Sequence, residues 1–156
     1  MLTEQEFTTA ADRHLNMLYH VALNCLRFPA DAEDAVQETM LRLWRVDTDI
    51  ESDDHLRHWL VRVCVNVCRD MTRSPWRHKV VSLENCAEPV FPDPAQQTLW
   101  EELMTLPVKY RLPLYLHYYE GYSTAEIGTM LNLTSTAVRS RLMRARTKLK
   151  LQLEEE

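Results

Sequence analysis

The stretch GYSTAEIGTMLNLTSTAVRSRLMRARTKL, Gly121 to Leu149, decides how the rest of the chain is read. Ser123 and Glu126 stand at the Ser-x-x-Glu spacing of a capping box, which predicts a helix beginning at Thr124. That helix is short, with Ala125, Ile127, Gly128 and Leu131 on its packed side. Leu131, Asn132 and Leu133 make the turn, because Asn132 tolerates the left-handed backbone that closes a tight helix end. Thr134 then caps a second helix that runs to about Leu151, with Val138, Leu142, Ala145 and Leu149 on its buried side. Opposite them lie Thr136, Arg139, Ser140, Met143 and Thr147, flanked by Arg141, Arg144, Arg146 and Lys148. Two helices joined by so short a turn, the second basic and polar outside, read as a helix-turn-helix. Short side chains at its start allow close approach to a DNA major groove, and the arginines further along reach guanine edges or phosphates.

The charge balance of the whole chain hides this. Among 156 residues the net charge is −5, which argues against a nucleic-acid binder until it is divided by position. Residues 1–74 carry eight Arg and thirteen Asp or Glu, whereas residues 134–150 carry six basic residues and no acid. The attraction for phosphate is therefore local. Two glycines, Gly121 and Gly128, are too few for the Gly-rich phosphate loops of nucleotide enzymes, and they argue against a hairpin-rich β fold. No apolar run approaches the roughly 20 residues of a membrane span, and the start MLTEQEF lacks the basic and apolar parts of an export signal. A cytoplasmic, all-α chain is expected.

Upstream, apolar spacing predicts helices over about Thr3–Arg27, Ala32–Arg45 and His55–Arg73. The first buries Phe7, Ala11, Leu15, Leu18, Ala22 and Cys25; Pro29 ends it, and Asp31 is placed to cap the second. The second puts Ala32, Val36, Met40 and Leu43 on one stripe, and Ser52 and Asp53 start the third. The third is apolar except for a narrow stripe of Arg62, Asn66, Arg69 and Arg73, a face suited to phosphate or base-edge contact. Residues 75–94, with Pro75, Pro89, Pro92 and Pro94, read as a linker. Helices resume over Ala95–Leu106 and Pro107–Glu120, with a kink or a late start expected at Pro113. The expected architecture is two small helical domains, 1–74 and 95–153, the second a helix-turn-helix. Cys25, Cys64, Cys68 and Cys86 are expected as reduced thiols; His55 and His58 before Cys64 and Cys68 raise a metal site, but the surrounding valines read as a packed helix.

Together the two halves resemble a bacterial sigma factor of the sigma-70 family, of the extracytoplasmic-function group. The resemblance rests on Ala32-Glu-Asp-Ala-Val-Gln-Glu38, Leu41-Arg-Leu-Trp44, Trp59-Leu-Val-Arg-Val63, Asn66, Asp70 and Arg73 in the first half. In the second it rests on Leu106-Pro107, Arg111, Tyr119-Glu-Gly-Tyr-Ser123, Glu126-Ile127, Thr136-Ala-Val-Arg-Ser-Arg141 and Arg144-Ala-Arg146. It implies that the first domain binds the β′ clamp helices of RNA polymerase core and opens the minus-ten element. It implies that the second binds the β flap and reads the minus-thirty-five element. Asp34, Gln37 and Glu38 would face the polymerase, and Arg62, Asn66, Arg69 and Arg73 the minus-ten DNA. Thr136, Arg139, Ser140 and Met143 would face bases of the minus-thirty-five element, with Arg141, Arg144 and Lys148 on phosphates. An anti-sigma partner is implied by the resemblance alone.

Gly128 stands where alanine is common in that family, and either residue is expected to allow close packing. The acidic loop 46–54 lacks the aromatic residue that would hold a base flipped from the minus-ten strand. Promoter DNA and polymerase are the expected partners, with no cofactor, no metal and no small-molecule substrate; the action is binding, not catalysis. Two rivals remain at this stage. A helix-turn-helix regulator with a dimerising or sensing N-terminal domain predicts a symmetric operator, and a metal- or redox-dependent enzyme or sensor predicts use of His55, His58, Cys64 and Cys68.

Overall fold

A computed structural model of the chain describes residues 2–46, 50–73 and 94–155, with the side chains of 95–99 and 151–155 outside that description. The chain divides into two compact units, Met1–Ala87 and Glu88–Glu156. Every regular element among the described residues is a helix.

The first unit packs α1 (Glu4–Leu26), α2 (Pro29–Arg45) and α3 (Asp53–Arg73), each against the other two. Thr3 caps α1 through a capping box with Glu6. The expectation that α2 starts at Ala32 behind an Asp31 cap is corrected: Pro29 occupies its first turn, and Asp31 lies inside the helix, buried. Proline's missing N–H costs nothing there, because the first-turn donors have no helical partner in any case. Ser52 opens α3, its Oγ accepting from the His55 N–H at 3.1 Å. Leu18, Val21, Leu43, Leu60 and Val61 are fully buried, and Ala22, Ala32 and Ala35 let the helix axes approach. Each such Leu or Val contributes about 1.5–3 kcal/mol by leaving water.

The buried face of α1 is also corrected. Ala10, His14, Met17, Leu18 and Val21 point inward, while Leu15 is 40% exposed. His14 is able to enter because its Nε2–H donates to Asp53 Oδ1 at 3.1 Å, a partner 39 residues away. A buried polar group is tolerated once it is hydrogen-bonded.

The second unit contains α4 (Pro94–Met104), α5 (Val108–Tyr118), α6 (Thr124–Leu131) and α7 (Ser135–Glu155). Buried Arg111 donates to the Leu106 carbonyl at 2.8 Å and the Met104 carbonyl at 3.4 Å, satisfying the end of α4. No late start occurs at Pro113; α5 begins at Val108, and the proline lies within it. The hydrogen bond it forgoes is to the carbonyl of Lys109, an exposed first-turn residue. The expected linker 75–94 falls, but for Pro94, outside the described residues, as do Cys86 and positions 47–49 of the acidic loop.

Candidate nucleic-acid interface

Helices α6 and α7 are set by local chemistry. Ser123 and Glu126 form the capping box, and Asn132 adopts φ 59°, ψ 48° in the left-handed region. Leu133 N–H then donates back to the Gly128 carbonyl at 2.8 Å. This chain path leaves no room at Gly128: a Cβ there would stand 2.6 Å from the Leu133 carbonyl oxygen. The expectation that either residue allows close packing here is therefore corrected for alanine, since the obstacle is backbone. Thr134 Oγ1 accepts from the Ala137 N–H at 3.1 Å and opens α7, and Thr124 and Ser135 hydroxyls meet at 3.0 Å across the turn.

Val138, Leu142 and Ala145 are buried against α5 and α6, so the opposite side of α7 is turned to solvent. Thr136 and Arg139 are exposed, Ser140 and Arg141 half-buried, and Met143 is 61% exposed. The Arg139 guanidinium donates to Ser135 Oγ at 3.1 Å and Thr136 Oγ1 at 3.2 Å, which holds it along the outer face. On one flank Lys148 lies 5.6 Å from the centroid of the Tyr110 ring. The Tyr110 hydroxyl is held below its ordinary pKa by a hydrogen bond from Arg144, aided by Lys109. All seven residues expected to meet the minus-thirty-five element thus share one helix and leave its buried seam.

In the first unit, Arg62, Asn66, Arg69 and Arg73 are all exposed on α3, while Leu60, Val61, Cys64, Val65, Val67 and Cys68 face inward. The Cys68 thiol is pushed up by hydrogen bonds with the Cys25 and Cys64 thiols and by burial, so it stays protonated at neutral pH. At the start of α3, the His14 hydrogen bond lowers the pKa of Asp53; burial opposes this, and Arg13 at 3.4 Å adds to it. Ile50, Ser52 and Asp53, from the described part of the acidic loop, line a recess of about 510 Å³ with the first turns of α1.

On α2, Asp34 and Gln37 are exposed, and Glu38 pairs with Arg42 at 3.3 Å. Beside them lies a feature that sequence reasoning missed. Phe7, Leu15, Val36, Met40, Leu41 and Trp44 line an open groove of about 840 Å³ between α1 and α2. Leu41 is 46% exposed and Trp44 40%, and the Trp44 ring meets Phe7 edge-on at 5.0 Å. The available signal was that Leu41 and Trp44 lie off the Val36–Met40–Leu43 stripe.

Comparison with known proteins finds a family match for each of the two units. Residues 10–78 match the family model Sigma-70 region 2, and residues 96–149 match Sigma-70, region 4. The chain is 35% identical to the ECF RNA polymerase sigma factor SigL of Mycobacterium tuberculosis, over 92% of this chain and 86% of the relative. It is 34% identical to SigM of the same organism, over 88% of this chain and 71% of the relative. Among solved structures, the sigma factor RpoE of Bartonella quintana, in complex with the anti-sigma factor NepR, superposes with a TM-score of 0.76. That match covers 96% of this chain and 98% of the other at 24% identity, and so bears on the fold.

Proposed function

The chain belongs to the extracytoplasmic-function group of the sigma-70 family and directs RNA polymerase to promoters, and from that premise we propose how its residues divide the work. Residues 1–74 form the unit that holds the polymerase and the minus-ten element, 75–94 the tether, and 95–153 the unit that reads the minus-thirty-five element. Thr136, Arg139, Ser140 and Met143 meet bases in the major groove; Arg141, Arg144 and Lys148 meet phosphates. Arg62, Asn66, Arg69 and Arg73 face the minus-ten strands, where stacking and backbone contacts at about 1–3 kcal/mol per base offset the cost of melting.

Asp34, Gln37 and Glu38 contact the β′ clamp helices, and the groove at Leu41 and Trp44 receives apolar side chains from the same partner. The β flap is the partner of the second unit. The polymerase supplies the catalysis, and this chain acts as a cytoplasmic regulator without a reaction of its own. An anti-sigma protein that covers these faces is a further partner, a reading supported by the complex in which the RpoE neighbour was solved.

The observation that carries the reading is the coincidence of each matched region with a unit that exposes a polar or basic helix face outside a packed core. Run-off transcription with purified core polymerase and a promoter library tests it. Start sites that depend on the added protein, and are lost in Arg139→Ala together with Asn66→Ala, are expected. Transcripts indifferent to both substitutions contradict the residue assignment.

A further inference from the structure

The sequence placed Arg146 on a flank of α7, and the assignment above leaves it without a role. In the structure α5 and α7 pack together, and the tyrosines of α5 reach the cations of α7 on both flanks. Arg146 Nη1 donates to the Tyr118 hydroxyl, and its guanidinium carbon lies 5.8 Å from the centroid of the Tyr118 ring. His117 meets that ring edge-on at 5.0 Å, on the same helix. On the other flank, Lys148 and Lys109 lie 5.6 Å and 5.0 Å from the centroid of Tyr110. At 100° per residue, Arg146 stands about 160° round the helix from Lys148, so the cations bracket the base-reading face.

A long cation on an exposed helix ordinarily loses rotamer freedom when it binds phosphate. A cation already resting on an aromatic ring has lost part of that freedom before DNA arrives. Tyr118 is 55% exposed, so it makes little of the core and its contact with Arg146 is not a by-product of burial.

We propose that Arg146 is a further phosphate contact of α7, and that Tyr118 is a positioning residue that holds its guanidinium toward the DNA. This rests on α7 being the DNA-facing helix. Phosphate contacts are independent of sequence and dominate at low salt, so a fluorescein-labelled mixed-sequence duplex and the full-length protein suffice as probe and sample.

Arg146→Ala is expected to weaken binding about three- to tenfold and to lower the salt slope by about one contact. Tyr118→Leu is expected to weaken binding about threefold, Tyr118→Phe by less because the ring face remains, and neither to alter helical content by circular dichroism. The double variant Tyr118→Leu with Arg146→Ala is expected to bind no worse than Arg146→Ala alone. Equal losses from Tyr118→Leu in both backgrounds would show a merely structural tyrosine and overturn the positioning role, as would no loss in either. Arg141→Ala separates the two levels. If it weakens binding while Arg146→Ala does not, the new contact fails and the DNA-facing helix stands. If neither weakens binding, the helix assignment fails and this inference with it.

Discussion

A methyl group on Gly128 is the sharpest test at the scale of single residues. Alanine there gains about 1 kcal/mol in helix propensity, but its Cβ would press on the Leu133 carbonyl oxygen at 2.6 Å, and overpacking of this kind costs about 1–3 kcal/mol. The contact is with backbone in a turn closed by Asn132, so the clash prevails. Gly128→Ala is expected to lower stability, by up to about 2 kcal/mol, in denaturant unfolding. Asp53 supplies a second test. Its pKa is lowered in the fold, first by the His14 hydrogen bond and then by Arg13, so its contribution is present above the unfolded carboxylate value of about 3.9. It is lost as pH falls through the lower folded value. Asp53→Asn is expected to flatten the fall in stability between about pH 5 and pH 3, as measured by urea midpoints across that range. Neither feature was legible in the sequence. Gly128 and Leu133 are neighbours only because of the turn's path, and His14 finds Asp53 across 39 residues.

The helices themselves were largely legible, and for a local reason. Ser52, Ser123, Asn132 and Thr134 act within three or four residues of themselves, so their caps can be read without knowledge of the fold. The side turned inward is less local. Leu15 fits the i, i+4 stripe of Phe7 and Ala11, yet it faces the groove, because α2 and α3 meet α1 on the side of Ala10, Met17 and Val21. The tyrosines under α7 were missed likewise: Tyr110 and Tyr118 lie in a segment that shows no basic or polar pattern of its own. The groove yields its own prediction. Leu41→Lys, at a position 46% exposed, is expected to leave the unfolding midpoint within about 0.5 kcal/mol of the parent. Affinity for RNA polymerase core is expected to fall about tenfold or more, read by fluorescence titration with labelled protein. Unchanged affinity would remove the groove from the polymerase face.

For the molecule as a whole, the distribution of charge sets the order of events. With −5 overall and its phosphate attraction confined to α7 and the α3 stripe, the free chain is expected to bind promoter duplex at least about a hundredfold more weakly than the assembled enzyme at physiological salt. Electrophoretic mobility shifts with and without core polymerase measure that ratio. The acidic first half, with thirteen carboxylates to eight arginines, is the counterpart of this weakness, because it suits a basic protein partner. Promoter choice by this chain is therefore expected to depend on capture by the polymerase first. The most direct measurement is size-exclusion chromatography of the full-length protein mixed with RNA polymerase core from its own host. Co-elution as one stoichiometric complex, weakened by Leu41→Lys, is the predicted result; separate elution of the two at micromolar concentration would contradict the account.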